Sequence, residues 1–206
     1  MALMTMSWPL RSKESVLPSD RRHRLGGYLF LISLLIFFLS SILLYVLYAN
    51  WRRDDPQSQT PLPSTFLVST VCLILISGLV HLATRAVRRD RYTLTCWLLG
   101  VSGIAAILFV GMQYEAMAKM LAGPALGGGT GRGVAGMVVV LALLHALHVA
   151  GGIIALGIVS VRAWMGRYDH ERHWPVDFAA QYWHFLDVIW LFMLAAFWMT
   201  TGGFLF

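Results

Sequence analysis

Charged residues are scarce in this 206-residue sequence, at 13% of the chain, where an ordinary globular domain carries about 25%. Hydrophobic residues make up 58%, and a chain of this size has too little interior to hide them all from water. Lipid is therefore the solvent for most of the molecule. Cysteine is nearly missing too: Cys72 and Cys96 are the only two, no signal-peptide pattern accompanies them, and no Cys-x-x-Cys, Cys-x-x-Cys-His or Cys/His cluster is present. These absences exclude a disulfide scaffold and the usual zinc and haem-attachment motifs.

What is present is a set of five long, almost uncharged runs: Leu25 to Ala49, Phe66 to Thr84, Tyr92 to Tyr114, Gly133 to Val161 and Phe178 to Phe206. Each is long enough to cross a hydrocarbon core, which takes roughly 20 apolar residues as a helix. Lipid offers no partner to backbone N–H and C=O groups, and a barrel strand would alternate polar and apolar residues over half the length. The pattern predicts an all-α polytopic membrane protein, a bundle of five transmembrane helices spanning 25–49, 66–84, 92–114, 133–161 and 178–206. The first run is too long for the apolar region of a cleaved signal peptide and no A-x-A site follows it, so it is expected to remain as a helix.

The basic residues are distributed unevenly. Arg11, Lys13, Arg21, Arg22 and Arg24 precede the first span, Arg85, Arg88, Arg89 and Arg91 follow the second, and Arg162, Arg167 and Arg172 follow the fourth. Only Arg52, Arg53, Lys119 and Arg132 fall at the opposite end. The positive-inside rule then places the N-terminus in the cytoplasm and the C-terminus on the periplasmic side. The formal charge of +6 is topological and suits anionic lipid headgroups rather than nucleic acid. Residues 1–24, with Pro9, Pro18 and five basic side chains, read as a cytoplasmic tail.

Pro61, Pro63 and Ser64 stand before the second span and Pro175 with Asp177 before the fifth, as helix-start signals. Gly127, Gly128, Gly129, Gly131 and Gly133 lack the Gly-Lys-Ser/Thr ending and the preceding strand of a phosphate-binding loop, and read as a flexible linker. No internal repeat supports an inverted-repeat transporter. In the fourth span Ala142, Ala146 and Ala150 form an i, i+4, i+8 stripe beside Gly151, Gly152 and Gly157, a face over which another helix can approach closely.

Ionisable residues inside a membrane are costly, and here they are few. His81 lies near the cytoplasmic end of the second span, where it can reach water. His145 and His148 stand three residues apart in the fourth span, and His184 and Asp187 three apart in the fifth. The two helices run in opposite directions, and the levels of His148 and Asp187 differ by only about 6 Å at helical rise. One reading makes His145, His148, His184 and Asp187 a metal or haem site; the other makes them an interhelical hydrogen-bond cluster in which Asp187 fixes a histidine tautomer. The histidines crowd one level instead of forming facing axial pairs, which favours the structural polar cluster, with no metal. Gln113 and Glu115 end the third span, Glu115 close enough to the interface to be solvated. About 16 Å of depth separates Cys72 from Cys96, too far for a disulfide. No serine sits in a nucleophile-elbow pattern, so no catalytic residue is expected.

The string Tyr182-Trp183-His184-Phe185-Leu186-Asp187-Val188-Ile189-Trp190-Leu191-Phe192 resembles the last helix of subunit III of the haem-copper terminal oxidases. His145-Ala146-Leu147-His148-Val149 with Gly152 is similar to that family's His-Gly-x-His-Val motif, with Ala146 in place of glycine. Trp97-Leu98, Gly100 and Gln113-Tyr114-Glu115 resemble its third-helix pattern in the short form, and Phe30-Leu31-Ile32-Ser33 with Phe37-Phe38 its first. Five helices correspond to the five-helix bacterial form. The family's glutamate after the first-helix serine is replaced by Leu34, so no role of that carboxylate carries over.

The resemblance implies an accessory subunit of a proton-pumping cytochrome c oxidase in a bacterial inner (plasma) membrane, where oxygen is reduced to water. It implies no redox centre or cofactor in this chain, with haem and copper in the partner catalytic subunit I, other oxidase subunits alongside, and ordered phospholipid in a cleft. The equivalent subunit of a quinol oxidase or nitric oxide reductase complex is the near alternative, and a small membrane cytochrome using its own histidines the distant one.

Overall fold

The computed structural model describes residues 18–53, 62–89, 91–122, 133–165, 174–201 and 204–205. In chain order these form α1 (Pro18–Trp51), β1 (Leu62–Pro63), α2 (Thr65–Val87), α3 (Tyr92–Ala122), α4 (Gly133–Trp164), α5 (Trp174–Thr201) and β2 (Phe204–Leu205). All five helices are long and apolar enough to cross a membrane. The five-helix architecture follows the five apolar runs, with differences at their ends.

The first helix begins at Pro18 and so takes in the last residues of the expected tail; the remainder of the tail and the glycine-rich linker at 127–131 lie outside the described residues. The third helix runs on from Tyr114 to Ala122. Ala116, Met117, Ala118 and Lys119 are strong helix formers, and Lys119 Nζ reaches Glu115 Oε1 one turn back at 2.7 Å. At the start of α2, Ser64 already has helical backbone angles, φ −59° and ψ −19°; its hydroxyl makes no cap bond, and its carbonyl accepts from Leu67 N–H. Gly133 opens α4 with φ 51°, a left-handed conformation that glycine adopts without steric cost.

The fifth span is shifted towards the N-terminus relative to the expected 178–206. Trp174 and Pro175 join its first turn, where proline's missing N–H costs nothing, and the helix ends at Thr201 before two glycines. Phe204 and Leu205 pair in parallel with Leu62 and Pro63, tying the α1/α2 connection to the end of α5.

Helix α2 packs on α3, α3 on α4, α4 on α5 and α5 on α2, closing a four-helix ring; α1 lies outside it against α4 and α5. Trp183, Trp190, Phe66, Ile76, Leu99 and Phe109 are fully buried among these helices. α1 runs parallel to α5 along an aromatic seam, with Phe30 stacked on Tyr182 at 6.2 Å and Tyr45 edge-on to Phe197 at 5.1 Å. The Tyr45 hydroxyl is also hydrogen-bonded to Thr200 Oγ1.

The small-residue face of α4 serves α5 at one point in particular. A Cβ added to Gly152 would stand 3.0 Å from Tyr182 Cε1 and 3.4 Å from Trp183 Cζ2, whereas one added to Gly157 would meet nothing within 4 Å. Gly152→Leu is expected to force α4 and α5 apart and to cost about 1–3 kcal/mol. Gly157→Ala is expected to be neutral or slightly stabilising. Thermal aggregation of the two variants in detergent, compared with the parent chain, checks both.

Candidate functional site

The polar residues inside the bundle collect along α5, because that helix touches α1, α2 and α4. On its α2 side the helices run antiparallel. Arg88 Nη2 bonds Asp177 Oδ2 at 3.0 Å, and two turns further in the rings of His81 and His184 lie 5.6 Å apart. His184 Nδ1 is 2.5 Å from Ser77 Oγ, and the Ser77 hydroxyl lies beside the Asp187 carboxyl. Asp187 is buried, and its Oδ1 has no protein partner among the described residues. Deeper still, Trp190 Nε1–H donates to Thr70 Oγ1 at 2.8 Å.

On the other side of α5 the α4 histidines meet aromatic rings instead of a carboxylate. His145 is fully buried, 5.2 Å from the Trp190 ring and 6.1 Å from Phe38. Neither of its ring nitrogens bonds a protein atom among the described residues. His148 turns back on its own helix, Nδ1 lying 2.7 Å from Leu144 O, and its ring is edge-on to Phe38 at 4.9 Å. The hydroxyl of Tyr182 donates to the backbone carbonyl of His148 at 2.9 Å.

The four residues expected as one cluster thus divide into two pairs, and this corrects the sequence expectation. His184 and Asp187 face α2, while His145 and His148 lie between α4, α5 and α1. Depth along a helix axis fixes the level of a side chain but not the direction in which it points. Trp190 is the link between the pairs, its Nε1 on α2 and its ring on His145. His81, expected near the cytoplasmic end of the second span within reach of water, is exposed and lies beside His184.

Ser77, Thr70, Phe38 and Ser69 were not singled out from the sequence. The three hydroxyl residues had a signal: Ser69, Thr70 and Ser77 share with Thr84 the α2 stripe that buries Leu73, Ile76 and Val80. Phe38 had none beyond its family motif. Gln113 is buried on α3 and accepts from Ser69 Oγ at 3.2 Å, while Glu115 is exposed and paired with Lys119. Leu34 is packed in the apolar core one turn before Phe38. Cys72 and Cys96 are free thiols. Among the described residues, no group of three or more His, Cys, Asp or Glu side chains is placed to hold a metal ion.

Two clefts flank the α1/α5 seam. Near the basic end, about 370 Å3 is enclosed by Phe30, Gly152, Ile158, Trp174, Phe178 and Tyr182, a lining of rings and aliphatic surface. Near the other end, about 560 Å3 lies between Ile42, Leu47 and Asn50 of α1, Arg53, and Phe192 and Met199 of α5.

The family model for cytochrome c oxidase subunit III matches residues 18–201, the whole of the five-helix bundle. Cytochrome c oxidase subunit 3 of Thermostichus vulcanus is 27% identical, the match covering 95% of this chain and 99% of the relative. The subunit 3 of a Synechocystis species is 30% identical over 81% of this chain and 70% of its own length. That of Pylaiella littoralis is also 30% identical, over 85% of this chain and 66% of the relative. These matches favour cytochrome c oxidase over the quinol oxidase, nitric oxide reductase and small-cytochrome readings. The chain belongs to the cytochrome c oxidase subunit III family.

Proposed function

We propose that this accessory subunit of a haem-copper oxidase serves a proton-pumping enzyme, in which oxygen is reduced to water at a neighbouring catalytic subunit holding haem and copper. Its own helices carry no redox centre. The observation that carries the reading is the extent of the family match, which runs without a break from α1 to α5. Near-complete coverage of the Thermostichus relative supports a bacterial inner membrane as its location. The excess of Lys and Arg at one end supports a cytoplasmic location for that end and for the N-terminus with it.

The subunit stabilises its partner, holds phospholipid and sustains proton uptake. The apolar cleft takes an acyl chain, and the excess of basic residues at that end of the chain's spans suits an anionic headgroup. The Ser77, His184 and Asp187 set fastens α2 to α5, while His145 and His148 with Phe38 and Tyr182 fasten α4 and α1. No step of oxygen chemistry is assigned to any of these side chains.

The reading is tested by purifying the tagged chain in mild detergent and recording a reduced-minus-oxidised visible spectrum, then repeating it after harsher detergent has removed its partners. A haem signal is expected that leaves with a large multi-span partner. Pigment retained by the isolated 23.0 kDa chain would overturn the reading.

Two variants test the assigned roles. Asp187→Ala takes away the buried carboxyl beside Ser77 and His184, and is expected to lower subunit stability by about 1 kcal/mol. Its complex should lose activity sooner during turnover while the haem spectrum of the remaining enzyme is unchanged. Ala155→Trp fills the cleft at the basic end; phosphate analysis of the purified complex should show less bound phospholipid, with assembly retained.

A further inference from the structure

Imidazole nitrogens bind zinc, copper and nickel ions, whereas magnesium and calcium take oxygen ligands. His81 on α2 and His184 on α5 are both exposed, and their ring centroids lie 5.6 Å apart. Two imidazoles on one tetrahedral zinc ion, with Zn–N bonds of about 2.0–2.1 Å, hold their centroids about 5.2 Å apart. The observed pair is therefore spaced to share an ion after a small rotation of either ring. The His81 ring makes no hydrogen bond to a described residue. Ser77 Oγ stands 2.5 Å from His184 Nδ1, which leaves Nε2 for an ion. A metal-binding histidine characteristically has its other ring nitrogen held in this way.

The surroundings suit a cation that enters from the basic end. Each histidine stands seven residues beyond the Arg88–Asp177 pair along its own helix, about 10 Å deeper at helical rise. Gln181 and Arg85, between that pair and the imidazoles, are exposed, so a polar strip leads to them; the Arg85 side chain is long enough to carry its charge away towards the headgroups. One turn beyond His184, Asp187 is a buried carboxyl whose Oδ1 has no partner among the described residues. Its negative charge opposes that of an ion drawn out of bulk water, where an unopposed charge is costly. A Cβ at Gly78, one turn before His81, would meet nothing within 4 Å, which leaves room for water on the ion. The α4 histidines offer no such access: His145 is fully buried, and His148 has Nδ1 on the Leu144 carbonyl with its ring against Phe38.

We propose that His81 and His184 form an exchangeable site for a divalent transition-metal ion of the zinc class, which staples α2 to α5 near the basic end of the bundle. Each imidazole supplies one nitrogen, and water completes the tetrahedral shell beside Gly78. Two protein ligands are fewer than a resident structural or catalytic zinc centre uses, so the ion is held weakly and leaves readily. Ser77 is a positioning residue that holds the His184 ring. The site is independent of the oxidase-subunit reading, because nothing in ion binding depends on which complex the chain enters.

The test titrates the full chain in detergent, purified through a tag free of histidine, with Zn2+ in competition with a chromophoric zinc indicator. His170→Gln and His173→Gln are present in every sample, so that the histidines of the α4/α5 connection add no signal. One Zn2+ is expected per chain, undisturbed by excess Mg2+. His81→Gln and His184→Gln are each expected to weaken it by about tenfold or more, and Ser77→Ala by about tenfold through loss of the orienting contact. His148→Gln should leave it unchanged. His81→Cys returns a zinc ligand to the same place and should restore binding, which a variant that had merely disturbed the fold would not do. Bound Zn2+ should also raise the thermal unfolding temperature of the parent chain and not that of His81→Gln. No binding by the parent, binding that survives His81→Gln or His184→Gln unweakened, or loss of binding in His148→Gln would each overturn the site.

Discussion

Helices surrounded by lipid gain nothing from hiding apolar side chains from one another, so a bundle like this one depends on close backbone approach and on hydrogen bonds between helices. Those bonds converge on α5. Trp190 reaches Thr70, His184 reaches Ser77, Tyr182 reaches the His148 carbonyl and Thr200 reaches Tyr45. At its first turn Asp177 takes Arg88, where a carboxylate is also favoured by the positive end of the helix dipole. Every other helix except α3 is fastened through one of these contacts, and α3 is held between α2 and α4.

The aromatic residues of α5 explain why its sequence is so constrained. Trp183 is fully buried, and its six-membered ring edge lies where α4 has Gly152. Trp190 is placed between α2 and α4, hydrogen-bonding with its indole N–H and covering His145 with its ring. A smaller residue at 190 would give up the bond to Thr70 and uncover the imidazole together. His145 is held by shape rather than by hydrogen bonds: Phe38 and Trp190 stand against it from two helices.

The helices were legible because a single property, apolar length, encodes a membrane span. The same property says little about where a span stops, so α3 ran past Tyr114 on helix-forming residues and α5 stopped short of Phe206 at a Gly-Gly pair. The site was legible in part. Helical rise speaks only to the levels of the histidines and Asp187 along their helices. Which neighbour each side chain faces depends on rotation about the helix axis and on which helices are adjacent, and neither is written in one span alone. The α2 hydroxyls show what a fuller reading needs: Ser77 becomes significant only once its stripe is set against α5.

The replacement at Leu34 fits the way α1 is attached. α1 packs chiefly against α4 and α5, and it does so through rings and small residues: Phe38 on the α4 histidines, Phe30 on Tyr182, Tyr45 on Phe197 and Thr200, and Gly27 beneath Phe178, whose Cε2 would be 2.7 Å from an added Cβ. None of these contacts uses a carboxylate. A charged group at position 34 would need a partner in a part of the core that is apolar, since an unpaired buried charge is costly. Leu34 instead joins the cluster that includes Phe38, which leaves the histidines and the buried carboxylate of the described spans to α2, α4 and α5. The polar work of the bundle is thereby concentrated on the ring of four helices, and α1 is left to shape the two clefts that its thin seam with α5 opens at either end.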